Sequence, residues 1–315
     1  MLSEKEKLLK RAYAQIGILE RRRKSKIFMF IENVQDHMCY PQLNLIFNQK
    51  AKFKNVDKLE ILLHSGGGHA ECAYQLSKLF RRHCKQLNII VPILAKSAAT
   101  LMCLAADTIY MGERSELGPL DVQITDPFEK GLDSFSPINE FKSMEFLRDY
   151  AIEMLDYYAI ALVERAGMSV KEAFHEAMPA VANTMSPMYA KIDPSKIGGY
   201  RRSLAVAEEY AKRLLNARKV ANSDAIAEKL VWKYPSHDFL IDRAEAKEIG
   251  LPIVHLDVNQ DDAFVEIVRN VLKTGESIYA FTKADEKKHK TTTTKKRASG
   301  KKPAAAASAV KLQAA

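Results

Sequence analysis

The sequence predicts an α/β protein with a mostly parallel sheet of βαβ units and a helical C-terminal half. Short apolar runs of strand length alternate with helical segments as far as Met111, and helical periodicity dominates after it. A strand–helix–strand connection is right-handed and makes its two strands parallel, with helices covering both faces of the sheet. The 315 residues are 47% hydrophobic, which suffices for a large core and excludes a fibrous or wholly disordered chain.

The N-terminal part of the chain supplies the predicted strands. Apolar residues at helical spacing from Leu8 to Leu19 predict a helix over 4–24, an amphipathic arm that packs on the body or on a neighbouring subunit. Strands are predicted at 27–31, 59–63, 89–94 and 108–111, with helices at 70–86 and 98–106.

The C-terminal part is predicted to be mainly helical. A turn-rich segment, 115–137, precedes it and contains Gly118-Pro119, Asp126-Pro127 and Ser136-Pro137. Helices are predicted at 139–166, 170–182, 203–219, 223–233, 243–249 and 262–272, with a short strand at 252–255.

The net charge of +9 is unevenly distributed along the chain. Residues 283–315 contain ten Lys and Arg against two acids, residues 1–26 contain nine against three, and the remainder is therefore acidic. This predicts a basic helical arm at 1–26, a folded domain at 27–282 and a disordered Lys-, Ala- and Thr-rich tail at 283–315. The tail is a candidate for weak contact with nucleic acid or another anionic surface, or is simply solvated.

The cysteines and the N-terminus favour a cytoplasmic protein without a transmembrane segment. Four scattered cysteines form no CxxC pair, so we expect buried thiols rather than disulfides, and neither a metal nor a cofactor. The N-terminus lacks a hydrophobic signal region, and no apolar run approaches 18 residues.

Two turns at the ends of predicted strands are candidates for chemistry. The first, LHSGGGH at 63–69, has the glycines that let backbone N–H groups form a nest for an oxyanion, although a tight turn alone also needs glycine. The second, AKSAATL at 95–101, places Ser97 where a strand ends and a helix begins. Ser97 is either an ordinary helix N-cap or a nucleophile on a sharp turn. Together the turns supply the two halves of an acyl-transfer site.

These blocks resemble the ClpP/crotonase superfamily, and most closely the serine dehydrogenase proteinase family, relatives of the peptidase SppA. That family has a strand ending in LHTPGG, a later strand ending in Ser followed by small residues, an AAD and an ELGP-D-Q block. Here the matching blocks are LHSGGG, AKSAATL, AAD at 105–107 and ELGPLDVQ at 116–123, followed by RRSLAVAEEYAKRLL and YPSHDFLIDRAEAKEIGL. The resemblance covers about residues 20–255, and so implies a ClpP/crotonase-like peptidase domain within 27–282.

The resemblance implies Ser97 as the nucleophile, with the N–H groups of Gly67 and Gly68 as the oxyanion hole. Leu120 stands where ClpP-type enzymes carry a His base, whereas SppA-type enzymes use a lysine from further along the chain.

The sequence leaves several candidates for the residue that accepts the proton of Ser97. A lysine that acts as a base must be desolvated, because burial lowers its pKa. This favours Lys142, which has Phe141 and Phe146 nearby, over Lys130 in the turn-rich segment. The alternative for both is an ordinary exposed surface lysine. Asp121 could orient the base or cap a turn, His69 could substitute as the base, and Lys96 is expected to point away from Ser97.

The leading hypothesis is an ATP-independent serine endopeptidase that acts on peptide or protein substrates and, by resemblance, forms a homo-oligomer through 139–182 and the 4–24 arm. One alternative is a catalytically silent assembly or recognition module that binds nucleic acid through its basic ends. A third hypothesis, crotonase-like acyl-CoA chemistry, is disfavoured by a serine at the second turn.

Overall fold

A computed structural model of the protein describes residues 3–34, 56–120, 124–125, 134–135 and 137–280. The strands are β1 (Lys26–Ile31), β2 (Val56–His64), β3 (Cys84–Val91), β4 (Leu94–Ala95), β5 (Thr108–Met111), β6 (Glu116–Leu117), β7 (Ile124–Thr125), β8 (Ser134–Phe135), β9 (Ile253–His255) and β10 (Ile278–Ala280). The helices are α1 (Glu4–Arg23), α2 (Ala70–Arg82), α3 (Ala98–Cys103), α4 (Pro137–Ala166), α5 (Val170–Tyr189), α6 (Pro194–Ala217), α7 (Ser223–Trp232), α8 (Arg243–Glu248) and α9 (Val258–Leu272).

The predicted mostly parallel sheet is confirmed. Within the described residues the main sheet has six strands in the order β10-β1-β2-β3-β5-β9, parallel except for β10, which is antiparallel to β1. Leu62 of β2 lies between Met29 of β1 and Ile90 of β3. The carboxyl ends of the parallel strands therefore meet at one edge, where α/β proteins place their sites.

Both faces of the sheet are covered, which explains why its central strands are continuous apolar runs. Alternate side chains of β2 point to opposite faces: Leu63 packs in the cluster that includes Leu76 of α2 and Leu214 of α6. Leu62 packs on the other face, with Phe264 of α9.

Helix α1 packs on the body of the protein. A capping box between Ser3 and Glu6 starts the helix, and Lys24 in the left-handed conformation ends it. Its buried residues Leu9 and Ile16 share the cluster that contains α9.

A buried ionic network ties the end of α1 to the sheet. The fully buried carboxylate of Glu60 accepts hydrogen bonds from Arg23, at 2.7 and 2.8 Å, and from Ser25 at 2.7 Å. Asn88 donates to the same carboxylate at 3.3 Å. These donors, led by Arg23, outweigh burial and lower the pKa of Glu60.

Several predicted boundaries were wrong, and strand pairing explains two of them. Helix α2 ends at Arg82 instead of 86, because Cys84 and Gln86 pair with β2 as the start of β3. The strand predicted at 89–94 ends at Val91, and Leu94–Ala95 forms a separate strand that pairs with β6. Helix α5 continues past 182 to Tyr189, with Pro179 and Pro187 inside it. The three residues of β10 were not predicted.

The expectation of four unpaired cysteines was wrong. Cys72, near the start of α2, is disulfide-bonded. Cys84 and Cys103 are free. Burial raises the pKa of the Cys84 thiol to about 11, which makes it a poor nucleophile.

Helices α4 and α5 form a hairpin with little burial. Of the 30 residues of α4, only Pro137, Ile138 and Ala159 are buried. In the part of the chain that the structure describes, no helix is long and apolar enough to cross a membrane.

Candidate active site

Four segments are hydrogen-bonded side by side at the carboxyl edge of the sheet. Ser65, just after β2, pairs with Ala95 of β4, Ala95 pairs with Leu117 of β6, and Leu117 pairs with Ile241. This row, called here the edge ladder (Ser65, Ala95, Leu117 and Ile241), brings both predicted turns together with a segment from much later in the chain.

Ser97 lies at a strained turn directly after β4. Its backbone has φ 49° and ψ −119°, a conformation that residues other than glycine adopt only at a cost of about 1–3 kcal/mol. The side chain makes no capping hydrogen bond to α3, so the N-cap interpretation does not account for it. A serine held by strain at a strand-to-helix turn is the arrangement of a nucleophile elbow.

The glycine turn lies directly against Ser97. A Cβ on Gly67, whose φ is +113°, would lie 2.8 Å from the Ser97 Cβ and 2.9 Å from the Lys96 carbonyl oxygen. A Cβ on Gly68, at φ +134°, would overlap the carbonyl of Val34. Glycine is therefore required at both positions by conformation and by space.

The backbone bonds of this turn determine which way its N–H groups point. The N–H of Val34 donates to Gly67 O at 2.7 Å, and the N–H of His69 donates to Val34 O at 2.8 Å. Since neighbouring residues of an extended segment point to opposite sides, the N–H of Gly68 points away from Val34, to the side of β4 and Ser97.

The N–H group of Gly67 already has a partner, because it donates to Ser65 Oγ at 3.2 Å. Within the described residues, the N–H groups of Gly68 and of Ala98, which follows Ser97, donate to no other group. Both are available to a ligand beside Ser97.

Lys96 connects the elbow to two neighbouring segments. Its ammonium donates to Leu117 O at 3.3 Å and to Phe239 O at 3.4 Å, and lies 3.5 Å from a carboxylate oxygen of Glu116. Its side chain is 15% exposed. Lys96 therefore points away from Ser97, as expected, and fixes the elbow against β6 and the segment before Ile241.

The structure gives Lys142 a different environment from the one that the sequence suggested. Its side chain is 51% exposed, on α4, and forms an ion pair with Glu145 at 3.0 Å. This is not a desolvated setting for a base. Asp121 and Lys130, the other candidates, lie outside the described residues, and His69 is exposed at the end of the glycine turn.

The aspartate of the AAD block, Asp107, lies at the amino edge of the sheet, opposite the site, where its contacts are structural. Asp107 binds Arg81 through both carboxylate oxygens and accepts the N–H of Leu87 at 2.9 Å. Although partial burial opposes them, these donors and the neighbouring arginines lower the pKa of Asp107. Leu120, in the ELGPLDVQ block, is a buried core residue.

Comparison with known proteins identifies the family. The model of the ClpP-like SDH-type serine proteinases matches residues 3–157, about half of the chain. The chain belongs to this family. The family resemblance and the α/β fold predicted from the sequence are therefore confirmed.

Relatives of this proteinase-family chain include two proteins of Methanocaldococcus jannaschii. The uncharacterized protein MJ0137 is 27% identical over 195 residues, which cover 62% of this chain and 53% of that protein. The uncharacterized protein MJ1495 is 33% identical over 66 residues, which cover 21% of this chain and 23% of that protein. The chain thus spans about half, or less, of the length of these relatives.

Similar solved structures include two mutants of the 1510-N membrane-bound stomatin-specific protease. A serine-to-alanine mutant has 15% identity and a TM-score of 0.44, covering 82% of this chain and 93% of that one. A lysine-to-alanine mutant in complex with a substrate peptide has 14% identity and a TM-score of 0.39, covering 74% and 78%. With TM-scores below 0.5, these likenesses assign no residue of the site.

Sequence reasoning missed the segment that completes the edge ladder. Residues 236–241 reach the site through Phe239 and Ile241, although some 140 residues separate them from Ser97. The available signal was a histidine, His237, in a turn-forming Pro-Ser-His-Asp run at 235–238.

Proposed function

We propose that the protein is an ATP-independent serine endopeptidase that cleaves peptide bonds through an acyl-enzyme on Ser97. The observation that carries this proposal is the strained Ser97 turn packed against Gly67. Backbone strain at a buried serine is retained where it serves a function, and the adjoining glycine turn supplies donors for an oxyanion.

The proposed oxyanion hole is built from the glycine turn. Gly67 and Gly68 are the residues expected from the sequence, and Gly67 gives the turn its close approach to Ser97. The hydrogen bonds favour the N–H of Gly68 as the donor, with the N–H of Ala98 as its partner, since that of Gly67 is bonded to Ser65. A preorganised donor of this kind contributes about 3–4 kcal/mol to the transition state.

The proton acceptor expected from the family resemblance is a lysine, Lys142 or Lys130, with Asp121 as an orienting group. The exposed ion pair of Lys142 with Glu145 gives this assignment no support. The proposal for Ser97 does not depend on which group accepts the proton.

Labelling with a fluorophosphonate probe tests the nucleophile. We expect the wild type to form one covalent adduct, which Ser97→Ala abolishes. Ser77→Ala is the matched control, because Ser77 is a buried serine whose hydroxyl donates to Ala73 O within α2. Absence of an adduct in the wild type, or an equal adduct in Ser97→Ala, would refute the proposal.

We further propose that the chain self-associates through the α4–α5 hairpin. Large apolar side chains are exposed on it: Phe146, Tyr150, Ile152, Tyr157, Tyr158, Ile160, Val170, Phe174, Met178, Met188 and Tyr189. Monomers rarely expose so many large apolar side chains on one pair of helices, and a stable dimer buries about 800 Å² on each partner. A groove of about 380 Å³ between the helices, lined by Leu155 and Met178 among others, offers a place for such side chains of a second copy.

Sedimentation measures this association. Tyr157→Glu, on a side chain that is 64% exposed, should shift the protein towards monomer, whereas Leu272→Glu, 48% exposed on α9, should not. A wild-type monomer at micromolar concentration would contradict the proposal.

Contact of the basic tail, 283–315, with nucleic acid and a cytoplasmic location both remain predictions from composition. Deleting the tail should remove any salt-dependent binding of DNA and leave labelling of Ser97 unchanged.

A further inference from the structure

The segment that ends the edge ladder carries a histidine to the same edge of the sheet as Ser97. Because β4 and β6 are parallel, the residues that follow Leu117 lie beside those that follow Ala95, which are Lys96 and Ser97. The pairing of Leu117 with Ile241 is antiparallel, so the residues before Ile241 lie at that same level. By this register Phe239, two residues before Ile241, is level with Ser97, and His237 lies two residues beyond Phe239.

Side-chain contacts agree with this direction. The ammonium of Lys96, the residue that precedes Ser97 in the chain, donates to Phe239 O at 3.4 Å. The N–H of Phe239 donates to Ser236 O at 3.3 Å and closes a turn around His237. The ring of Phe239 contacts the buried ring of Tyr234 at 5.0 Å between centroids, which anchors the turn in the core.

The distance across the ladder suits an interaction between side chains. Paired strands are about 4.8 Å apart, so Ile241 is separated from Ala95 by about 10 Å. A histidine side chain from one segment and a serine side chain from the other span such a gap. His237 is half-buried, a setting that keeps an imidazole ordered and still accessible to substrate.

Three other described histidines, His83, His175 and His255, are placed less well. His83 follows α2 at the amino edge of the strands, and its Nδ1 lies 2.9 Å from Leu79 O. His175 is on the exposed hairpin beside Glu176, and His255 is at the end of β9, beside Glu113.

We propose that His237 is the proton acceptor of Ser97. This deepens the proposed peptidase function and rests on it. The Ser97 Oγ forms a bond to the peptide carbonyl carbon, its proton passes to an imidazole nitrogen of His237, and the carbonyl electron pair becomes the oxyanion. When the C–N bond breaks, the imidazolium gives this proton to the leaving amine. Water then attacks the acyl-enzyme, gives a proton to His237, and that proton returns to Ser97 Oγ as the acid leaves.

The lysine that the family resemblance suggested provides the contrast. Lys142 has an acidic partner and an exposed side chain, whereas His237 is on a segment that is bonded directly to the nucleophile turn. Lys96 contributes as a positioning residue, because its hydrogen bond holds the His237 segment against the elbow.

The test compares His237→Ala with Lys142→Gln and the control His255→Ala, using the rate of fluorophosphonate labelling and the hydrolysis of casein. We expect His237→Ala to lower both rates by about 100- to 10,000-fold, and imidazole in the buffer to restore part of the loss. Lys142→Gln and His255→Ala should stay within about threefold of the wild type. His237→Gln, with circular dichroism and thermal melting, separates loss of the base from loss of the fold.

The outcomes separate the two proposals. In two cases the inference about His237 fails while the peptidase proposal stands, provided that the wild type is labelled at Ser97. In the first, His237→Ala keeps the wild-type rates of labelling and hydrolysis. In the second, His237→Ala loses these rates and imidazole does not restore them, while His237→Gln keeps them. If Lys142→Gln causes the large loss instead, the lysine is the base. If the wild type is neither labelled nor active, both proposals fall.

Discussion

Replacing Gly67 by alanine tests whether the glycine turn and the nucleophile turn are packed as the structure has them. The new Cβ would meet Ser97 Cβ at 2.8 Å and Lys96 O at 2.9 Å, distances that require one of the two turns to move. The backbone φ of +113° adds strain for any residue with a Cβ. We expect a loss of about 2–6 kcal/mol in the free energy of unfolding, from strain of about 1–3 kcal/mol and overpacking of a similar size.

Two other glycines provide matched controls. Gly167 has φ +67° and nothing within 4 Å of an added Cβ, so Gly167→Ala measures conformational strain alone, about 1–2 kcal/mol. Gly198 is in α6 with open space around it, and Gly198→Ala should stabilise the helix by about 1 kcal/mol. The difference between Gly67→Ala and Gly167→Ala reports the contacts with Ser97 and Lys96 together with the difference in backbone strain between φ +113° and φ +67°.

Denaturant unfolding and fluorophosphonate labelling together make the measurement. A displacement of Ser97 by about 1 Å should lower the labelling rate of Gly67→Ala by about 100-fold, while both controls label normally. If Gly67→Ala were no less stable than Gly167→Ala and labelled at the wild-type rate, Gly67 would not lie against the nucleophile, and the site as described would be wrong.

The remaining predictions concern groups outside the nucleophile turn. Glu60→Gln leaves Arg23 buried without its counterion and should cost about 3–5 kcal/mol in chemical denaturation, whereas Glu4→Gln, from an exposed pair with Lys7, should cost less than about 1 kcal/mol. Asp107→Asn should lower stability by about 1–3 kcal/mol but leave the labelling rate of Ser97 unchanged; a large loss of labelling would contradict its structural role. Burial lowers the pKa of His64 below its ordinary value of 6.5, so the unfolded chain binds a proton there more readily than the native one. Melting temperatures should therefore fall as the pH drops through and below about 6.5, and His64→Gln should flatten that part of the profile; a wild-type profile already flat there would disagree.

The strands were predictable because of how parallel sheets are buried. Ile61 packs on one face of the sheet and its neighbour Leu62 on the other, so such strands are continuous apolar runs that need no periodicity to be recognised. The start of β3 was not predictable in this way, since Lys85 and Gln86 are exposed or polar and only pairing with β2 makes them a strand. Here tertiary structure overrides local pattern.

The site was predictable in part for a similar reason. The position of Ser97 after a strand and of Gly67 after its neighbour implied that the two would meet, because parallel strands end at one edge. The positive φ of Ser97 could not be read from a Lys-Ser-Ala-Ala run that equally fits a helix N-cap. Nor could the sequence place His237, because its position depends on a single antiparallel bridge between Leu117 and Ile241.

The charge of the N-terminal segment illustrates why composition alone misassigns a surface. Residues 1–26 carry a large positive excess, yet Arg23 is 8% exposed and neutralised by Glu60, and the apolar face of α1 is part of the core. Deleting 1–26 would therefore remove core side chains and a buried ion pair, and a loss of binding to an anionic partner would follow from unfolding alone. Charge reversal at the exposed Arg21 and Arg22 keeps these contacts, so it separates a binding role of this segment from its structural one.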